Sequence, residues 1–255
     1  MSYGYFTWRP YVPVAQRRAN ALRAASKLAK KGQQVLPVEI QGREIARTFW
    51  GKAWCENLES YSDFENRLPR GRTYVRNGSV FDLQIKPAKV VAMVSGSEIY
   101  TVEVSVRPLA QPRWRSLVRE CAGKVGSLIE LLQGRVSESV LEILARPRKG
   151  LFPTPAEMDF SCTCPDWADM CKHVAAALYG VGARLDHNPE LFFALRKVDQ
   201  SDLLSSADVR RAVKSKGGSK AKRLDPSKIS GVFGIELDRG RAKRNGKSRG
   251  PASAR

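Results

Sequence analysis

The chain predicts an α+β fold: an antiparallel meander of about four strands with covering helices, followed by a small ββα-like zinc module and a basic, largely disordered tail. Three observations predict it. Apolar residues recur at helical spacing, switch to near-alternation over residues 73–107, and then return to helical spacing. A run of twelve residues from Cys162 to His173 holds three of the five cysteines and one of the two histidines. From about Arg210 the composition becomes Lys, Arg, Ser and Gly, which cannot bury enough apolar surface to fold. The expected organisation is a basic arm and helix over 1–32, an α+β body over 33–150, a zinc module with trailing helices over 151–208, and a tail over 209–255.

The elements follow in chain order. Residues 14–31 read as a helix ended by Gly32, with a thin apolar stripe of Leu22, Ala25 and Ala29. Such a helix suits light docking or a position along a nucleic-acid backbone. Phe49, Trp50, Ala53, Trp54 and Leu58 fall on helical spacing, so Trp50–Leu58 is expected as a buried helix. Thr73 to Ile85 reads as a hairpin around Asn77-Gly78, a dipeptide that favours two-residue hairpin turns. Val90–Val94 and Tyr100–Val106 supply two further strands, linked around Ser95-Gly-Ser97. Helical spacing resumes at Trp114, Leu117, Val118 and Cys121, then Val125, Leu128, Ile129 and Leu132, then Val136, Val140, Ile143 and Leu144. These three short helices are expected to cover one sheet face. Pro189–Leu195 and Ser201–Val209 read as two more helices.

The Cys/His run has the form C-x-C-x6-C-x-H: Cys162, Cys164, Cys171 and His173. That is the ligand set of a closed structural Zn²⁺ site, three thiolates and one imidazole. The spacing explains how one ion is reached. Cys162 and Cys164 follow the extended stretch Met158–Ser161, where i and i+2 face the same side roughly 6.6 Å apart. Pro165-Asp166 turns the chain. Cys171 and His173 cannot both lie inside one helix and share a face, because two residues rotate by about 200°. Cys171 is therefore expected just before a helix or in its first turn, with His173 in that turn. The helix has Asp169 as candidate N-cap and Gly180 or Gly182 as its stop.

The pattern and the alanine-rich helix after it resemble the SWIM zinc finger. The wider chain resembles prokaryotic SWIM zinc finger proteins often encoded beside SWI/SNF-type ATPases. The stretches that carry the likeness are Phe49–Trp54, Leu68–Tyr74 and Cys164–Val174, so it covers roughly residues 1–208. The resemblance assigns the metal to Cys162, Cys164, Cys171 and His173. It implies binding to DNA or to proteins, and a helicase-type ATPase as partner.

Net charge is +19, and its location matters. Residues 1–31 carry seven Lys/Arg and no acid, residues 210–255 carry fifteen against three, and residues 32–209 carry 22 of each. Basic ends on a neutral middle fit a folded module whose ends engage a polyanion, DNA foremost. Solubilisation is the plainer reading of the same tails. Within the body, Arg67, Arg70, Arg72 and Arg76 form an arginine-rich stretch beside Tyr74 and are candidate phosphate contacts. Internal pairing with Glu56, Glu59, Asp63 and Glu65 is an equal alternative. Trp167 reads as a lid on the zinc site ahead of a contact residue. The apolar island Ile229–Asp238 reads either as a docking strand or as a segment packed on its own domain.

No stretch of eighteen apolar residues and no leader-like N-terminus is found, and the cysteines suit metal in a reducing compartment, so a cytoplasmic or nucleoid-associated protein without a membrane span is expected. No phosphate-binding glycine loop or deaminase arrangement occurs, and four protein ligands leave zinc no open position. The expectation is a non-enzymatic, zinc-binding nucleic-acid accessory factor. The alternative is a protein–protein adaptor whose basic ends are incidental.

Overall fold

The computed structural model describes residues 12–61 and 66–204. Helix α1 spans Val14–Lys30, α2 Phe49–Glu59 and α3 Leu68–Arg76. Strands β1 (Val80–Lys86), β2 (Lys89–Ser95) and β3 (Ile99–Val106) follow. Then come α4 (Gln111–Cys121), α5 (Leu128–Leu132) and α6 (Glu138–Ala145). A 3₁₀ turn at Pro155–Glu157 leads into β4 (Met158–Cys162), and α7 (Lys172–Leu185) and α8 (Glu190–Leu195) close the described chain.

The four strands form one antiparallel sheet in the order β1-β2-β3-β4. Its fourth strand is not the one expected before Asn77-Gly78. That stretch is the end of α3, and Asn77-Gly78 terminates it. Gly78 has φ +67°, its N–H donates to Val75 O at 3.0 Å, and the Ser79 N–H donates to Tyr74 O at 3.0 Å. These two bonds are the Schellman pattern, which wants glycine in the left-handed region for the same reason a hairpin turn does. The hairpin lies ten residues later, across Pro87-Ala88. The fourth strand comes from the zinc segment, with Cys162 opposite Val102 and Met158 opposite Val106.

Alternation along β2 and β3 buries Val90, Ala92, Val94, Tyr100, Val102, Val104 and Val106 on one face. Helix α7 covers that face, in place of the α4–α6 trio expected there. Twelve of its fourteen residues are buried, because α2 and α3 pack on its other side. It runs through Gly180 and Gly182 to Leu185, so neither glycine is a stop. A Cβ on Gly182 would stand 2.6 Å from Cys55 Sγ, and one on Gly71 would stand 2.5 Å from Ala175 Cβ. The missing side chains let three helices approach at backbone distance. Trp54 donates across this junction to Leu178 O at 2.8 Å.

Helices α4–α6 gather instead around the aromatic side of the core. Trp50 donates to Leu131 O at 3.0 Å and stacks edge-on with Phe193, which also meets Trp114. The free edge of β1 is covered by the strap Leu36–Val38: Leu83 N–H donates to Leu36 O at 2.8 Å and Val38 N–H to Val80 O at 3.1 Å. Helix α1 docks lightly, with Arg17 and Ala21 its buried residues. The expected stripe is rotated off the contact, since Leu22 is 70% exposed. Of the trailing helices, α8 is present and a second begins at Asp202; the rest of Ser201–Val209, the tail and the 229–238 island lie outside the described residues. No helix among the described residues is long and apolar enough to cross a membrane.

Candidate metal centre

The site is assembled where the end of β4 meets the start of α7. Cys162 faces the covered side of the sheet because its partner Val102 does, and Thr163 prolongs the pairing by donating its N–H to Thr101 O at 3.1 Å. Cys164, two residues on, returns to the same side. Cys171 is the N-cap of α7, a place that Asp169 does not take, and its sulfur accepts from the Val174 N–H at 3.5 Å. A helix N-terminus favours a thiolate there. His173 sits in the first turn with Nδ1 3.9 Å from both Cys162 Sγ and Cys171 Sγ.

The ligand atoms of Cys162, Cys164, Cys171 and His173 all lie within 4.8 Å of one another. Three sulfurs and a nitrogen at that spacing fit a tetrahedral Zn²⁺, with bonds of about 2.3 Å to sulfur and 2.0–2.1 Å to nitrogen. The protonation pattern agrees. The Cys171 thiol is held well below its ordinary range by its contact with Cys162 and by His173 and the Val174 amide, against its burial. Cys162 is pushed up in return by the contact with Cys171 and by burial, and Cys164 foremost by burial. Three thiolates cannot share such a pocket unaided, and a divalent cation removes the conflict. The four residues are placed to hold a zinc ion, and they would fill all four positions of its coordination shell.

Around the site is a shell the sequence did not disclose. Tyr100 stacks on His173 with ring centroids 4.3 Å apart, and Tyr74 meets it edge-on at 5.4 Å. Gly96, in the β2–β3 turn, closes over the ring: a Cβ there would lie 2.8 Å from His173 Nε2 and 2.8 Å from the Tyr100 ring. The Arg17 guanidinium lies 4.4 Å from the Tyr74 ring centre, and the Ser95 hydroxyl donates to Arg17 O at 2.8 Å. These contacts tie α1 to the back of the metal centre. The only hint in sequence was the glycine of Ser95-Gly-Ser97, which reads equally as a turn.

The four candidate arginines separate into two pairs. Arg67 is the residue before α3 and bridges to Asp166 of the zinc loop at 3.2 Å. Arg72 donates to Glu59 at 2.9 Å and to the Tyr179 hydroxyl at 3.1 Å, while Tyr179 donates to the same carboxylate at 2.7 Å, joining α2, α3 and α7. These two serve the fold. Arg70 and Arg76 are exposed on α3, a helix whose last residues, from Thr73, were expected as a hairpin strand. Trp167 is not a lid: it is 92% exposed.

Residues 152–181 match the family model of the SWIM zinc finger. The chain is also similar to "Uncharacterized protein Rv2102" of Mycobacterium tuberculosis, 33% identical over 171 residues. That alignment takes in 66% of this chain, which spans 61% of the relative's length. No solved structure matches. The metal centre built by β4 and α7 is thus a SWIM zinc finger, set into the edge of a four-stranded sheet.

Proposed function

We propose that the protein is a non-enzymatic, zinc-stabilised nucleic-acid-binding accessory factor. The observation that carries this reading is the basic surface beside the metal centre. Arg70 and Arg76 project from α3, Arg18 joins them from α1 by donating to Asn77 O at 2.8 Å, and α1 itself bears no acid. Helix α1 and its C-cap expose Arg18, Arg23, Lys27, Lys30 and Lys31, so the excess positive charge of the first 31 residues continues onto the folded body. Guanidiniums held on helices, with no acid partner among the described residues, attract phosphate in a salt-dependent way, independent of base sequence. The closed zinc site gives the surface its shape and takes no part in chemistry. A SWI/SNF-type ATPase as partner follows from the resemblance of the wider chain to its prokaryotic SWIM relatives.

The test is a salt titration of DNA and RNA binding by the full-length protein and by the triple variant Arg18→Gln, Arg70→Gln, Arg76→Gln. Each lost phosphate contact should flatten the slope of log affinity against log salt by roughly 0.7 to 0.9. A triple variant that binds with the wild-type slope contradicts the reading and favours an adaptor that meets a protein through this face.

A further inference from the structure

The other tryptophans among the described residues are buried and spend their indole N–H on a partner: Trp50 on Leu131 O, Trp54 on Leu178 O, and Trp114 on Asp202 at 2.8 Å. Trp167 does the opposite and stands 92% exposed. An aromatic side chain ordinarily buries roughly 150–250 Å², so an indole held out in water calls for an occupant. It is held out. Its loop begins at Cys164 and ends at Cys171, so a metal ion held by those two residues would fix both ends. Asp166 fixes the middle, one carboxylate oxygen accepting from the Ala168 N–H at 3.3 Å and from Arg67 at 3.2 Å.

The Arg67 bridge sets this loop against the start of α3. From there the exposed side of α3 carries Arg70, Thr73 and Arg76, and Arg18 meets the helix end at Asn77. Arg67 to Asn77 is a path of roughly 15 Å at 1.5 Å per residue. Lys172 approaches the same helix, its Nζ 5.9 Å from the Tyr74 ring centre. An exposed indole therefore sits at the head of a basic track.

We infer that Trp167 is a nucleobase-stacking anchor, and that the track from Trp167 along α3 to Arg18 takes single-stranded nucleic acid. This rests on the nucleic-acid reading above. Phosphates meet Arg70, Arg76 and Arg18, while an unstacked base lies on the indole. Bases of a duplex already stack on one another and hide their faces, so a protruding indole gains nothing from them. A protein partner would want an apolar patch around the tryptophan. The chain neighbours of Trp167 include Asp166 and Asp169, and the other large exposed apolar residues among the described residues, Leu22, Ile99 and Ile129, belong to other elements.

The experiment uses the full-length zinc-loaded protein with W167A and W167F, in fluorescence anisotropy against labelled oligothymidylate, a duplex of equal length and inorganic polyphosphate. Zinc content and melting temperature of both variants should equal those of the wild type, because the side chain touches the solvent and not the core. W167A is expected to weaken oligothymidylate binding about tenfold with its salt slope unchanged, and to leave duplex and polyphosphate binding as they were. W167F should recover most of the loss. If the wild type binds and W167A weakens all three probes equally, or none, the stacking role is overturned while the nucleic-acid reading stands. If the wild type binds no nucleic acid at low salt, both are overturned.

Discussion

Cys55 and Cys121 show how differently five cysteines can be used in one chain. Burial, with Glu59 adding, pushes the Cys55 thiol up to about 12, and burial pushes Cys121 up to about 11. Thiols with such values are inert near neutral pH, where the reactive species is the thiolate. Alkylation of the zinc-loaded protein near pH 8 should therefore label neither. After chelation Cys162, Cys164 and Cys171 should react, and mass spectrometry of the labelled peptides reads the difference. Gly96 carries a second prediction at this scale. Gly96→Ala forces a Cβ against His173 Nε2 and the Tyr100 ring, so zinc affinity should fall roughly tenfold or more in a competition titration with a chromogenic chelator. That Cys162, Cys164, Cys171 and His173 would meet was legible from residue type and spacing alone, because C-x-C in a strand and C-x-H at a helix start each leave one geometry. The supporting shell was not: Tyr74, Tyr100 and Gly96 reach His173 only through tertiary packing.

Between elements, single carboxylates do much of the joining. Asp186, just past α7, accepts from the Thr48 N–H at 3.0 Å, the Thr48 hydroxyl at 2.7 Å and the Arg47 N–H at 2.6 Å, and so caps α2 from another helix. Asp186→Ala should cost about 1–2 kcal/mol in denaturant unfolding, the upper part of the range for a lost cap. Glu157 binds a second junction. It pairs with Arg196 at 3.0 Å and Arg113 at 3.3 Å, while Arg196 donates to Arg107 O at 2.7 Å and Arg113 to the Gly150 carbonyl. Burial works to raise the Glu157 carboxyl, but the Thr154 amide and the two guanidiniums prevail and hold it below its ordinary 4.5. A carboxylate with a depressed folded value adds stability that is present above its unfolded value and lost as pH falls through the folded one. Glu157→Gln should therefore lower stability at neutral pH and flatten its decline below about pH 4.5, as read by urea midpoints across pH. The misread elements share a cause. Asn77-Gly78 serves a helix end as well as a hairpin turn, and Gly180 and Gly182 read as stops until α2 is seen lying against α7. Local chemistry gives such residues two uses, and only packing chooses between them.

At the scale of the molecule, the described residues through Leu204 fall within one compact unit, and the zinc site is wired into it through an edge strand and the central helix. Strand β4 is hydrogen-bonded along β3, and α7 packs against all four strands and against α2 and α3. The class, α+β with an antiparallel four-stranded sheet, was legible from the change of hydrophobic period; that the metal segment would supply the fourth strand and the central helix was not, because strand pairing between residues 102 and 162 leaves no trace in local pattern. The consequence is that zinc should govern the whole unit and not a local loop, since metal affinity at closed sites, of the order of 10–16 kcal/mol, is drawn into folding. The most direct check is the zinc content of the purified full-length protein together with its thermal unfolding, followed by circular dichroism, before and after chelation. A fold built around this metal site requires a single zinc ion per chain and a cooperative loss of helix at much lower temperature once the metal is removed. Protein that carries no zinc, or that melts unchanged without it, would contradict it.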